Sequence, residues 1–131
     1  MVRPIVLMAE MEPPEGLSAR KLVLETGKFN VITAYSVEEA FETLVTFPRV
    51  DVVVLHASLC AEMDCDSVIA EVKKRVPGMA VIALSPAMSQ HFKLADHNIS
   101  SHEPQELLNL LRSRLGDPRL PPEKPQPLRR A

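Results

Sequence analysis

The sequence predicts an α/β domain: a mainly parallel sheet of five strands with helices on both faces, wound as (βα)5. Three observations carry this expectation. Short apolar runs, partly β-branched, alternate along the chain with segments of helical period. The run Val52–Leu55 is apolar at every position, as in a central strand buried on both faces. The β–α units follow one another in a single order, which suits a parallel sheet with crossover helices.

Taken in order, Val2–Ala9 is the first strand. Gly16–Thr26 is a helix with Gly27 as its stop. Asn30–Ala34 is the second strand. Ser36–Thr46 carries the clearest helix start, because Ser36 and Glu39 form an S-x-x-E capping box and Ala40, Phe41, Leu44 and Val45 share one face. Asp51–His56 is the third strand. A loop rich in Cys and Met follows, from Ala57 to Asp64. Asp64 or Asp66 then caps a helix whose Val68, Ile69, Val72 and Val76 line one face, and Pro77-Gly78 ends it. Met79–Ser85 is the fourth strand, Pro86–Ala95 a short and weakly patterned helix, and His97–Ser100 the fifth strand. Pro104 opens the last helix, striped by Leu107, Leu108, Leu111 and Leu115. Residues 1–116 thus form one domain. Residues 117–131 are rich in Pro and charge without apolar period, and are expected to be an extended or disordered tail.

Composition narrows the function classes. A hydrophobic fraction of 46% and a charged fraction of 24% describe a globular domain with one core. A net charge of -2 gives no electrostatic reason for direct binding to nucleic acid or to an anionic membrane. With no Trp and one Tyr, stacking platforms for single strands are nearly absent. No apolar run approaches the roughly 20 residues of a membrane span, and the N-terminus lacks signal-peptide character. Two cysteines make no disulfide framework in a domain of this size, so a reducing cytoplasm is the simplest compartment.

In an open parallel sheet the functional crevice lies at the carboxyl ends of the strands. That directs attention to Ala9-Glu10, the segment around Tyr35, His56–Cys65, Ser85-Pro86 and Ser100-Ser101.

The segments NVITAYSVEEAFETL, VDVVVLHASLC, VIALSP and ISSHEPQELLNLL together resemble the receiver domain of bacterial two-component response regulators, over about residues 3–115. The resemblance implies a flavodoxin-like, CheY-like fold. It also implies a pocket in which an Asp at the end of the third strand takes a phosphoryl group. Acidic residues there hold Mg²⁺, and a hydroxyl and a Lys bind the phosphoryl oxygens.

On this chain the acceptor position falls on His56. The acidic pair falls on Ala9 and Glu10, the hydroxyl on Ser85, the lysine on Ser100 and the aromatic switch position on His97. A single carboxylate is a poor Mg²⁺ site, and imidazole is too soft a ligand for it. The expectation is therefore a pseudo-receiver: no enzyme, with no cofactor and with Mg²⁺ binding lost or weak. It would act through protein–protein contacts with other signalling proteins, and homodimerisation is one form of contact. The face built from the predicted fourth helix, the fifth strand and the last helix is the docking surface the resemblance offers.

Other readings of the same residues compete. A phosphorelay receiver with an atypical acceptor keeps the signalling role. A small hydrolase or redox protein would use His56, Cys60 and Ser85, but no nucleophile elbow, phosphate-cradling glycine loop or Cys-x-x-Cys motif supports it. Cys60 and Cys65, with His56 and His91 or His97, make a poor zinc knuckle; the simpler reading is two reduced loop thiols. His56 is expected to be a partly buried neutral imidazole bonded to Glu10 or Ser85. Asp51 lies some 16 Å from the crevice at about 3.3 Å per residue and is expected to be a strand-edge or capping acid.

Overall fold

The structure is a computed structural model describing residues 3–13, 18–47, 49–60, 64–86 and 91–118. Its five strands are β1 (Ile5–Ala9), β2 (Asn30–Ala34), β3 (Val52–His56), β4 (Ala80–Ser85) and β5 (His97–Ser100). Its helices are α1 (Ala19–Thr26), α2 (Val37–Thr46), α3 (Cys65–Arg75) and α4 (Pro104–Leu115), with a 3-10 turn at Ala57–Cys60.

All strand pairs are parallel and the order across the sheet is β2-β1-β3-β4-β5. The chain moves outward from β1 to β2, then returns past β1 to β3. The winding therefore reverses between β1 and β3, and their carboxyl ends flank the topological switch point.

Two-residue alternation splits the core into two layers. Val6 and Met8 of β1, Val52 and Val54 of β3, and Ile82 and Leu84 of β4 face α1 and α4, meeting Leu24, Leu107, Leu108 and Leu111. Leu7, Ala9, Val53, Leu55 and Val81 face α2 and α3, meeting Ala40, Leu44, Val68, Ile69 and Val72. Both sides of the central strands are thus apolar because both are covered. Gly27 ends α1 where a β-carbon would stand 2.7 Å from Leu108 Cδ1, so the absence of a side chain lets α1 and α4 approach.

The caps follow the sequence. Ser36 Oγ accepts from Glu39 N at 3.0 Å, and Glu39 Oε1 accepts in return from Tyr35 N. The box therefore closes one residue earlier than its usual form. Ser36→Ala is expected to cost about 1 kcal/mol in denaturant unfolding. Asp64 caps α3 by accepting from Asp66 N, while Asp66 accepts from Leu94 N at 2.9 Å. Asp51 Oδ2 accepts from Ile5 N at 2.8 Å, which makes it the predicted strand-edge acid.

One predicted element is corrected. Among the described residues of Pro86–Ala95 there is no helix; a turn lies at residues 93–94 and a bend at 95–96. Asn98 exchanges hydrogen bonds with the backbone of Phe92. Asp96 is fixed by Val81 N and Lys73 Nζ, each at 2.8 Å. These contacts hold the segment in non-helical geometry where an apolar stripe is missing. Residues 87–90 lie outside the described residues, as does the predicted tail beyond residue 118. No described helix is long and apolar enough to cross a membrane.

Candidate functional site

The strand ends gather the residues singled out in the sequence. Register pairs Ala9 with Leu55 and with Ala34, His56 with Leu84, and Ser85 with Ser100. Ala9, His56, Ser85 and Ser100 thus end neighbouring strands, and Glu10 continues β1 into the crevice. His97 stands apart: it opens β5 opposite Ile82, three residues before the strand end, and its Nε2 lies 3.3 Å from Arg114 Nη1.

Glu10 is 1% exposed, so its carboxylate needs a partner. Arg20, on the first turn of α1, supplies it. Arg20 Nε donates to Glu10 Oε1 at 2.9 Å and Nη2 lies 2.7 Å from the same oxygen. Nη1 reaches the carbonyl of Ser101 at 3.4 Å. One guanidinium therefore ties the end of β1 to α1 and to the turn between β5 and α4. A cation at a helix N-terminus is unfavourable to the helix dipole, and no acidic residue occupies the first turn of α1. Glu10 offsets that placement. Its second oxygen, Oε2, is buried with no hydrogen-bond partner.

The turn that follows β5 is closed by backbone. Ser101 N donates to Ser85 O at 2.9 Å, and Ser100 Oγ accepts from His102 N at 3.2 Å. With Ser100 and Ser101 at these positions, Arg20 is the cation that reaches the turn.

His56 is half-buried. Its Nδ1 accepts from the backbone N–H of Ser58 at 3.0 Å, so a neutral ring carries its proton on Nε2. Burial pushes the pKa of His56 below its ordinary value, and the charges of Arg20 and His102 add to this against the opposing pull of Glu10. A stability effect follows. The unfolded chain binds a proton near pH 6.5 that folded His56 resists. His56 therefore favours the fold above that pH, and this contribution is lost as the pH falls toward the lowered folded value. The thermal midpoint is expected to fall between about pH 7 and pH 5, and to fall less in His56→Gln. An equal fall in both proteins would remove His56 as its source.

A second correction concerns the cysteines. Cys60 ends the 3-10 turn and Cys65 is the first residue of α3, and their α-carbons lie 5.3 Å apart. The sulfurs are joined as a disulfide, not held as two reduced thiols. Both residues sit in the core layer beneath α2 and α3.

Among the described residues Glu10 is the one carboxylate that directly continues a strand end, and it is already bonded to a guanidinium. Among the described residues no group of three or more His, Cys, Asp or Glu could hold a metal. Magnesium prefers several hard oxygens and a share of its own water.

The sequence reading missed Arg20. The pattern GLSARKLVLET shows a helix, but its phase does not say which basic side chain turns back over the strand end. The available signal was a buried acid at the switch point with no lysine opposite it.

No family model matches the chain, and no curated protein matches it. Solved structures do. A CheY-like response regulator receiver domain protein from Methanospirillum hungatei superposes with a TM-score of 0.72 at 19% identity, covering 87% of this chain and 94% of its own. A response regulator from Thermotoga maritima gives 0.68 at 24% identity, covering 86% and 97%. The Thermotoga maritima response regulator TrrA, solved with Mg²⁺ and beryllofluoride, gives 0.68 at 20% identity, covering 87% and 100%. With its parallel sheet ordered β2-β1-β3-β4-β5 and helices on both faces, the chain has the flavodoxin-like fold of the CheY-like receiver domains.

Proposed function

We propose that the chain is a signalling module of receiver type that works without aspartyl phosphorylation and communicates by binding other proteins. The observation that carries this reading is the Glu10–Arg20 pair. A protein cation bonds the carboxylate that a metal would need, and the same side chain grips the turn after β5. A receiver pocket uses Mg²⁺ to neutralise phosphoryl charge and an acidic oxygen to attack. Here the acceptor position holds His56, whose Nδ1 is engaged by Ser58 N. The pocket is thus internally neutralised and held in one arrangement by its own residues. Signal would enter through a partner that binds one surface, with no group transfer in the chain.

The face expected for docking changes in character. Without a described helix between β4 and β5, it consists of the described segment 91–96, β5 and α4. Incubation of the full chain with a small acyl phosphate and Mg²⁺, followed by intact-mass spectrometry, tests the reading. No acid-labile phosphoryl adduct is expected. A stoichiometric, Mg²⁺-dependent adduct would overturn it and leave phosphorelay signalling with an atypical acceptor in its place.

A further inference from the structure

We propose that Cys60 and Cys65 form a reversible dithiol–disulfide site that sets the conformation of the turn after β3 and, through Ser58, the placement of His56. The connection is short and continuous. Cys65 is the first residue of α3, and Cys60 ends the single 3-10 turn that begins directly after His56. The disulfide therefore ties α3 to that turn. Ser58, within the turn, donates its N–H to His56 Nδ1. A lone 3-10 turn is weakly held by its own hydrogen bonds, so an added tether has leverage on it.

The site is built to change locally and not to unfold the domain. Both cysteines pack in an apolar layer with Leu55, Val68 and Ile69. A thiol in such a place behaves as a small hydrophobe, so the reduced side chains are still accommodated. Cys60 and Cys65 are 6% and 4% exposed, so exchange proceeds through opening of the turn.

The reaction balances with a dithiol reductant as co-reactant. One thiolate of the reductant attacks a sulfur of the pair, forming a mixed disulfide and releasing the other sulfur as thiolate. The second thiol of the reductant then resolves the mixed disulfide. Two electrons and two protons pass to the protein, leaving Cys60 and Cys65 as thiols and the reductant as its disulfide. A disulfide oxidant runs the sequence backward.

This inference uses the geometry at His56 and not the inertness of the pocket toward phosphate, so the two fail separately: beryllofluoride tests one and dithiothreitol the other. The experiment compares two-dimensional NMR spectra of the full chain after oxidised glutathione and after dithiothreitol, with thiol titration under denaturing conditions. Oxidised protein is expected to show no free thiol, and reduced protein both. Amide signals of residues 56–60 and 64–69, and the imidazole signals of His56, are expected to shift between the forms, while β2 and α1 stay in place. The Cys60→Ser/Cys65→Ser chain is expected to match the reduced pattern in either condition. The two forms of the unchanged chain decide the matter even if that variant folds poorly. Free thiols after oxidised glutathione would overturn the proposal. Shifts confined to Cys60 and Cys65, with Ser58 and His56 unmoved, would overturn it equally.

Discussion

Replacing Arg20 by methionine is expected to destabilise the domain by about 3 kcal/mol at neutral pH, although Arg20 itself is partly exposed. Most of that loss comes from Glu10. Its carboxylate is 1% exposed, and one of its oxygens already lacks a partner. Removing the guanidinium would leave a buried charge with nothing to balance it, which costs more than the pair contributes as a pair. The figure sits at the low end of the range for buried pairs because the side chain of Arg20 keeps 23% of its exposure, so water screens part of the interaction. A companion result separates this account from a simple packing loss. Glu10→Gln combined with Arg20→Met is expected to recover most of the stability, since neither charge then remains. Urea unfolding, with the slope held to its native value, measures it. A double variant as unstable as the single one would contradict the role given to the pair.

A loss of similar size is expected for Leu111→Ala. Leu111 is fully buried on α4, in the layer shared with Leu24, Ile82, Ile99 and Leu107. This face of the sheet is covered by α1 and α4, and the two helices approach each other at Gly27 and Leu108. Truncation removes buried methyl groups and leaves a cavity that two packed helices cannot easily fill, for about 3 kcal/mol. The thermal midpoint should drop on the order of 10 °C. Leu22, which is 50% exposed on α1, serves as the control: Leu22→Ala is expected to change stability by no more than about 0.5 kcal/mol.

The fold was legible in the sequence where a single local signal decided the outcome. The apolar run at 52–55 can be buried on both faces only as a covered central strand, and it is one. Asn30–Ala34 and His97–Ser100 have the predicted bounds, because Gly27 and the Ser100-Ser101 turn punctuate them. Ser36 and Glu39 cap α2, through a chemistry that depends on nearby residues alone. Val2–Ala9 and Asp51–His56 were drawn a little long, since hydropathy does not mark where the ladder begins. Asp51 is the instructive case: it lies outside β3 and uses its side chain to hold the start of β1.

The misses share one physical cause: they depend on side-chain partners that no apolar period or spacing identifies. Pro86–Ala95 has weak helical period, and its described part is held by Asn98 at Phe92 and by Asp66 at Leu94, neither of which a periodicity window weighs. The Cys60–Cys65 bond depends on how the end of a 3-10 turn and the start of a helix are placed, which spacing alone leaves open. Arg20 on the first turn of α1 reaches Glu10 at the end of β1, a fact of packing and not of composition. The carboxyl ends of β3 and β4 were legible from their gap-free apolar runs, which close at His56 and Ser85.

The central claim is that the strand-end pocket is neutralised by its own arginine and does not respond to phosphoryl groups. The most direct test is a two-dimensional NMR titration of the full chain with Mg²⁺ and beryllofluoride, an acyl-phosphate mimic. Signals of Glu10, Arg20, His56, Ser85 and Ser100 are expected to stay where they are across the titration. Saturable shifts at those residues, spreading into the segment 91–96 and β5, would contradict the account and show a pocket that still binds phosphoryl groups.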